Sequence, residues 1–270
     1  MRKPAVAGQF YPSSPKELNT QIESLIDKRA DKYETIACVL PHAGYIYSGE
    51  VAAKTLSRIK IRDKIILLGP NHTGYGVPFS IMTKGIWQTP LGEIKIDTQL
   101  AEGILQNCRY LKDDCLAHTY EHSLEVQLPF LQYLKSAFEI VPLIFASDDL
   151  FILKEIGKSI AKAINASGAK DTVMIIASSD MTHYEAQAQA QKKDKEAIDA
   201  ILELSENKLM QKIKGLDISM CGYAPVIAML SAAKLLGAKG AKLIKYQTSG
   251  DVTGDRSSVV GYAGITIYGN

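Results

Sequence analysis

The sequence predicts a single α/β domain, a sandwich around a mostly parallel β-sheet with helices on both faces. Short apolar runs rich in β-branched residues alternate with segments of helical periodicity along the chain. The runs are continuous, as expected of strands covered on both faces, and alternating strands and helices produce such a covered sheet. No repeat, low-complexity tract or Pro/Gly/Ser linker interrupts the order, so residues 1–270 read as one domain.

A helical pattern over residues 16–28 precedes the first strand, 35–40, and a helix over 50–59 precedes the second, 64–68. Residues 80–82 and 94–96, around the stretch 85–92, are expected to form a small hairpin excursion. Helices over 98–108 and 124–134 lead to a strand at 140–145, and a helix over 150–166 leads to a strand at 172–177. Residues 185–204 are polar with recurring Ala, Ile and Leu, which predicts a helix with one solvated face. A helix over 225–236 opens on Pro225, a favourable starting residue, and strands at 241–246 and 259–267 close the chain.

Composition narrows the function classes. There are 31 Lys+Arg against 29 Asp+Glu, a net charge of +2, with 46% hydrophobic and 22% charged residues. That balance is ordinary for a soluble domain and predicts neither a nucleic-acid surface nor a polybasic membrane surface. No apolar run reaches the roughly 18 residues of a bilayer span. The first fourteen residues are basic but lack the continuous apolar core of a secretory signal. Four cysteines without a C-x-x-C pair argue against a disulfide framework or structural zinc site, so a reduced, cytoplasmic setting is expected.

The five histidines are the informative feature. His42 follows the first strand, His72 the second, and Asp180 with His183 the strand at 172–177. Ligands of open α/β sheets bind at the carboxyl ends of the strands, so these residues are expected to share one edge. Converging imidazoles bind metals or move protons. Cys221, in a loop before the Pro225 helix, is either a thiolate completing a two-His, one-Cys site or a buried apolar side chain. The string His118-Thr119-Tyr120-Glu121-His122 matches the H-x-x-E-H zinc peptidase pattern. The pattern requires both histidines on one helix, whereas helical periodicity starts only near Ser123. His122 then reaches the strand-end crevice on its own, and a zinc hydrolase is the distant alternative.

Several stretches, in order along nearly the whole chain, resemble the Memo family, called AmmeMemoRadiSam system protein B in prokaryotes. They are Arg2-Lys3-Pro4-Ala5-Val6-Ala7-Gly8-Gln9-Phe10-Tyr11-Pro12, Pro41-His42-Ala43-Gly44-Tyr45, Gly69-Pro70-Asn71-His72 and Trp87-Gln88-Thr89-Pro90-Leu91-Gly92. Glu121-His122-Ser123-Leu124-Glu125, Ser178-Ser179-Asp180, Cys221-Gly222 and Gly250-Asp251-Val252-Thr253-Gly254-Asp255 complete the set. The resemblance implies a fold like that of the class III extradiol dioxygenases. It also implies His42, His72 and Cys221 as metal ligands, with Fe(II) or Cu as the metal. His183 and Asp180 become the candidate acid/base pair, and His122, Tyr45 and Glu125 the substrate pocket. Cys221 stands where the dioxygenases carry a carboxylate, so their activity does not transfer with the fold. The function implied is that of a non-haem metal protein, a redox or dioxygenase-like enzyme acting on a small substrate. The alternative is a non-catalytic protein that binds a peptide or small molecule in the same pocket. The prokaryotic family name further implies a pathway link to a radical-SAM protein and an Ammecr-type protein.

Overall fold

The structure, a computed structural model, describes residues 1–168 and 170–269. Its centre is a run of four parallel strands: β1 (Ala37–Leu40), β8 (Val173–Ser178), β2 (Lys64–Pro70) and β7 (Glu139–Phe145), adjacent in that order. Nearly every residue of these strands is buried, which is why their sequences are continuous apolar runs. The margins are antiparallel. β11 (Val259–Tyr268) pairs with β1, and β10 (Gly240–Thr248) with β11. On the far side β3 (Phe79–Ile81) pairs antiparallel with the carboxyl-terminal part of β7, and β6 (Lys112–Asp113) joins β3.

Helices cover both faces. α2 (Tyr45–Leu56) lies on β1, β10 and β11, with α1 (Pro15–Leu25) beside it and α5 (Leu128–Leu134) against α1. α9 (Tyr223–Leu235) lies on β1, β2, β7 and β8 and is covered in turn by α6 (Leu150–Ala166) and α8 (Glu206–Gly215). α7 (Gln187–Leu202) covers β10 and β11. α9 is buried around its circumference, which explains why its sequence is apolar without an amphipathic stripe. Gly157 lets α6 and α9 approach: a Cβ there would sit 2.4 Å from the Ala228 carbonyl oxygen. No helix among the described residues is long and apolar enough to cross a membrane.

Three local expectations change. The hairpin is β4 (Ile86–Thr89) with β5 (Gly92–Ile96), whereas residues 79–81 enter the main sheet; Pro90 and Leu91 supply the turn that pairs β4 with β5. The segment expected as a helix over 124–134 is a 3-10 turn at Glu125–Gln127 followed by α5, because Pro129 fits only the first turn of an α-helix. The stretch from residue 185 begins in a short strand, β9 (His183–Glu185), before α7, and Ser205 caps the separate α8.

Candidate metal centre

β1, β8 and β2 are adjacent and parallel, so their carboxyl ends open on one edge, and His42, Asp180 and His72 follow those ends directly. The His42 main-chain N–H donates to Asp180 Oδ1 at 2.7 Å, and the Ser179 N–H donates to the Leu40 carbonyl at 2.8 Å. These bonds tie the β1 and β8 loops together.

The tautomer of His42 follows from its surroundings. Its Nδ1 lies 2.9 Å from Ser178 Oγ. The Ser178 hydroxyl proton goes to the Ser123 carbonyl at 2.7 Å, and Gln127 Nε2 donates to the same oxygen at 2.9 Å. Ser178 therefore accepts from His42, the ring proton sits on Nδ1, and the unprotonated Nε2 faces Cys221 Sγ at 3.2 Å. His72 reaches the same state by another route. Its Nδ1 donates to Glu121 Oε1 at 2.9 Å, which again leaves Nε2 free. The Glu121 carboxylate also accepts the main-chain N–H groups of His72 and Ser123. Burial alone would raise the Glu121 carboxyl, but the hydrogen bonds it accepts from His72 and the neighbouring His72 and His122 rings outweigh it and hold it at about 2.

His122 completes a cluster with His42 and His72 in which the three ligand nitrogens lie within 4.8 Å of one another. Its ring stacks on His72 at 4.6 Å between centroids, and its Nδ1 lies 3.4 Å from Glu121 Oε1. Burial, with smaller contributions from His72, His122 and His183, holds His42 well below the usual imidazole range, so its ring is neutral. Cys221 Sγ lies 3.2 Å from His42 Nε2 and accepts the Asp180 N–H at 3.3 Å. Burial first, and the Asp180 carboxylate second, push its thiol upward. The loop carrying Cys221 rests on the end of β8 because residue 222 is glycine: a Cβ there would stand 2.3 Å from the Ser178 carbonyl oxygen. Imidazole and thiolate donors suit Fe, Cu and Zn, so the residues fit a transition metal.

A family model described as Memo-like protein matches residues 2–266. The chain belongs to the Memo family. Its Memo relatives include a MEMO1 family protein of Methanosarcina acetivorans, 46% identical over 99% of both chains. Others are those of Methanocaldococcus jannaschii, 46% identical over 99% of both, and Aquifex aeolicus, 42% identical over 98% of both.

Beside the Memo histidines lies a cavity of about 320 Å³. His42, His72, His122, Asp180 and His183 line it, with Phe10, Tyr47, Tyr184 and Tyr262 among its walls. His183 Nδ1 donates to the Ser219 carbonyl at 2.9 Å, which leaves its Nε2 available. Tyr184 holds a left-handed backbone (φ 59°), a costly conformation for a residue with a side chain and one that concentrates at functional sites. Burial raises Asp180 to about 6, although the His42 N–H opposes the shift. Larger clefts of about 600 and 580 Å³ open elsewhere, but histidine lines neither.

Two expected pocket residues are placed differently. Tyr45 is buried, its hydroxyl donates to the Val126 carbonyl at 2.7 Å, and its ring stacks on Phe130. Glu125 is fully buried and its carboxylate is saturated by Arg2 Nη1, the Tyr11 hydroxyl and the N–H groups of Ala5 and Val6. Neither side chain lines the cavity. The H-x-x-E-H reading also fails. The helix α4 (Leu116–Thr119) stops before His122, and His118 is buried with Nε2 3.3 Å from Ser80 Oγ. Glu121 and Ser178, which fix the two ring tautomers, were not expected in those roles. The available signal was a carboxylate beside a histidine, since ligating histidines are commonly backed by one.

Proposed function

We propose that this Memo-family chain is a non-haem metal protein whose centre is held by Nε2 of His42, Nε2 of His72 and Sγ of Cys221. The metal is Fe(II) or Cu, and the protein acts as an oxidoreductase on a small substrate admitted to the adjoining cavity. One observation carries the reading. Both rings use Nδ1 to donate, to Ser178 and to Glu121, so both turn Nε2 toward the same space. His122 competes with Cys221 for the third position. His122 has its ligand atom within 4.8 Å of those of His42 and His72, and Cys221 is proposed over it because its sulfur lies 3.2 Å from His42 Nε2. A thiolate also raises affinity for copper relative to a carboxylate.

His42, His72 and Cys221 would hold a redox-active ion there, which would supply electron exchange with the substrate. The chain's own residues do the rest. His183 takes or returns a proton at Nε2, since its Nδ1–H is tied to Ser219. Asp180 holds the His42 main chain and shares the cavity. Phe10, Tyr47 and Tyr262 bring apolar surface that excludes water from the reacting atoms. A partly buried free cysteine at the centre stays reduced in a reducing compartment, which favours the cytoplasm. The pathway link to a radical-SAM protein and an Ammecr-type protein belongs to the same reading.

The test is anaerobic reconstitution with Fe(II), Cu(I) and Zn(II), comparing wild type with His42→Ala, His72→Ala, Cys221→Ser and His122→Ala. Stoichiometric metal that the first three variants lose and His122→Ala retains supports the assignment. Loss in His122→Ala with retention in Cys221→Ser reverses the third ligand. Metal binding unaffected by all four, or absent from wild type, overturns the metal reading and leaves a pocket that binds a small molecule or peptide. Oxygen uptake by the loaded protein during a substrate screen tests turnover.

A further inference from the structure

The segment of residues 2–11 is built into the back of the site. Arg2 is only 5% exposed, and its donors go to fixed acceptors. Nε donates to the His118 carbonyl at 2.8 Å, Nη1 to Glu125 Oε2 at 2.6 Å, and Nη2 to the Glu121 carbonyl. Its guanidinium lies 4.2 Å from the centre of the Trp87 ring, a cation–π contact. Thus one planar fork grips both ends of the turn 118–121 and the carboxylate four residues beyond it. The turn carries Glu121, whose carboxylate fixes the His72 tautomer. Farther along the segment, Tyr11 donates to Glu125 and Phe10 packs on the His122 ring at 4.8 Å between centroids.

We infer that Arg2 is a positioning residue for the metal centre, acting on His72 through the Glu121 main chain; this rests on the metal reading given above. A bidentate guanidinium pre-organises its partners, and lysine cannot reproduce it, because one ammonium does not span the Glu121 carbonyl and the Glu125 carboxylate in the same plane. With the fork broken, the Glu121 carboxylate loses its fixed position and His72 is free to exchange tautomers. His42 is held by Ser178, which Arg2 does not touch, so it provides an internal reference.

The experiment uses the full chain with 15N-labelled histidine, in wild type, Arg2→Lys, Arg2→Gln and Glu121→Gln. Ring-nitrogen NMR of the metal-free protein reads the tautomers, and Fe(II) titration reads affinity. Wild type shows the Nδ1–H form at both His42 and His72. Arg2→Lys, which keeps the charge beside Glu125 and hence the fold, shows mixed tautomers at His72, an unchanged His42, and Fe(II) affinity reduced about ten-fold, the low end for residues supporting a ligand. Glu121→Gln shows the same signature more strongly. An Arg2→Lys protein with His72 unchanged, or with His42 and His72 disturbed alike, overturns the inference and makes Arg2 a stability residue only. If wild type binds no Fe(II), the metal reading fails while the tautomer arm still decides the role of Arg2. If Arg2→Gln does not fold, Arg2→Lys alone decides it.

Discussion

Glu121 Oε1 lies 2.9 Å from His72 Nδ1, and the same carboxylate accepts the main-chain N–H groups of His72 and Ser123. Every donor that meets this carboxylate is an N–H, so an amide placed there turns its own NH₂ against one of them. Glu121→Gln is therefore expected to lower metal affinity about 10–100-fold, the usual cost of losing the group behind a ligating histidine. Anaerobic titration checks this. Affinity equal to wild type would remove Glu121 from the site.

Gly222 sets where Cys221 sits. A Cβ at 222 meets the Ser178 carbonyl oxygen at 2.3 Å and Ser179 Cβ at 2.5 Å, so Gly222→Ala must push the loop off β8. The expected result is a loss of about 1–3 kcal/mol in stability, as in other overpacked sites. Copper(I) affinity should fall with it while His42 and His72 still bind. Denaturant melts and a Cu(I) competition assay measure the two effects separately. Unchanged Cu(I) affinity in a destabilised protein would argue that Cys221 is no ligand.

If Cys221 is the third ligand, as proposed, redox state is coupled to metal content. Oxidation of Cys221 to sulfenic or sulfinic acid removes the soft donor beside His42 Nε2. Peroxide treatment is expected to release the metal in step with modification at Cys221, followed by mass spectrometry and metal analysis. Metal retained after complete oxidation of that thiol would exclude it from the coordination sphere.

His118, which is not part of the histidine cluster, predicts a pH dependence of stability. Burial first, and Arg2 second, push its imidazole down to about 3. In the unfolded chain it titrates near 6.5, so between these values the unfolded state holds the extra proton. Stability therefore falls as pH drops from about 6.5 toward 3, by up to about 1.4 kcal/mol per pH unit from this group. Asp180, raised to about 6, contributes with the opposite sign between about 4 and 6. The difference between wild type and His118→Gln isolates the histidine. Urea melts across this range should show a flatter acid limb in the variant, and parallel curves would refute the assignment.

Much of the architecture was legible because it depends on local pattern. The β2, β7 and β8 runs are buried apart from their first residues Lys64 and Glu139, and such strands show themselves as nearly continuous apolar sequence. The positions of His42, His72 and Asp180 followed from the rule that ligands meet the carboxyl ends of strands. The 3-10 turn at Glu125–Gln127 and the β4–β5 hairpin were not legible in detail, since both depend on what lies against them. The H-x-x-E-H string is set aside because helical periodicity begins only near Ser123, and the structure agrees. α4 stops at Thr119, which sends His118 into the core and His122 to the cavity.

By itself the sequence determined the α/β class, the strand ends on which the clustered histidines sit and the membership of a family, because hydrophobic periodicity and motif order are properties of the chain. Tertiary structure alone decided which nitrogens are free. Ser178 and Glu121 fix the rings of His42 and His72 from 136 and 49 residues away in sequence, and Glu125, expected in the pocket, is saturated by a segment about 120 residues earlier. The physical reason is that a tautomer or a buried charge is set by the full complement of hydrogen-bond partners around it, and folding assembles those partners from separate parts of the chain.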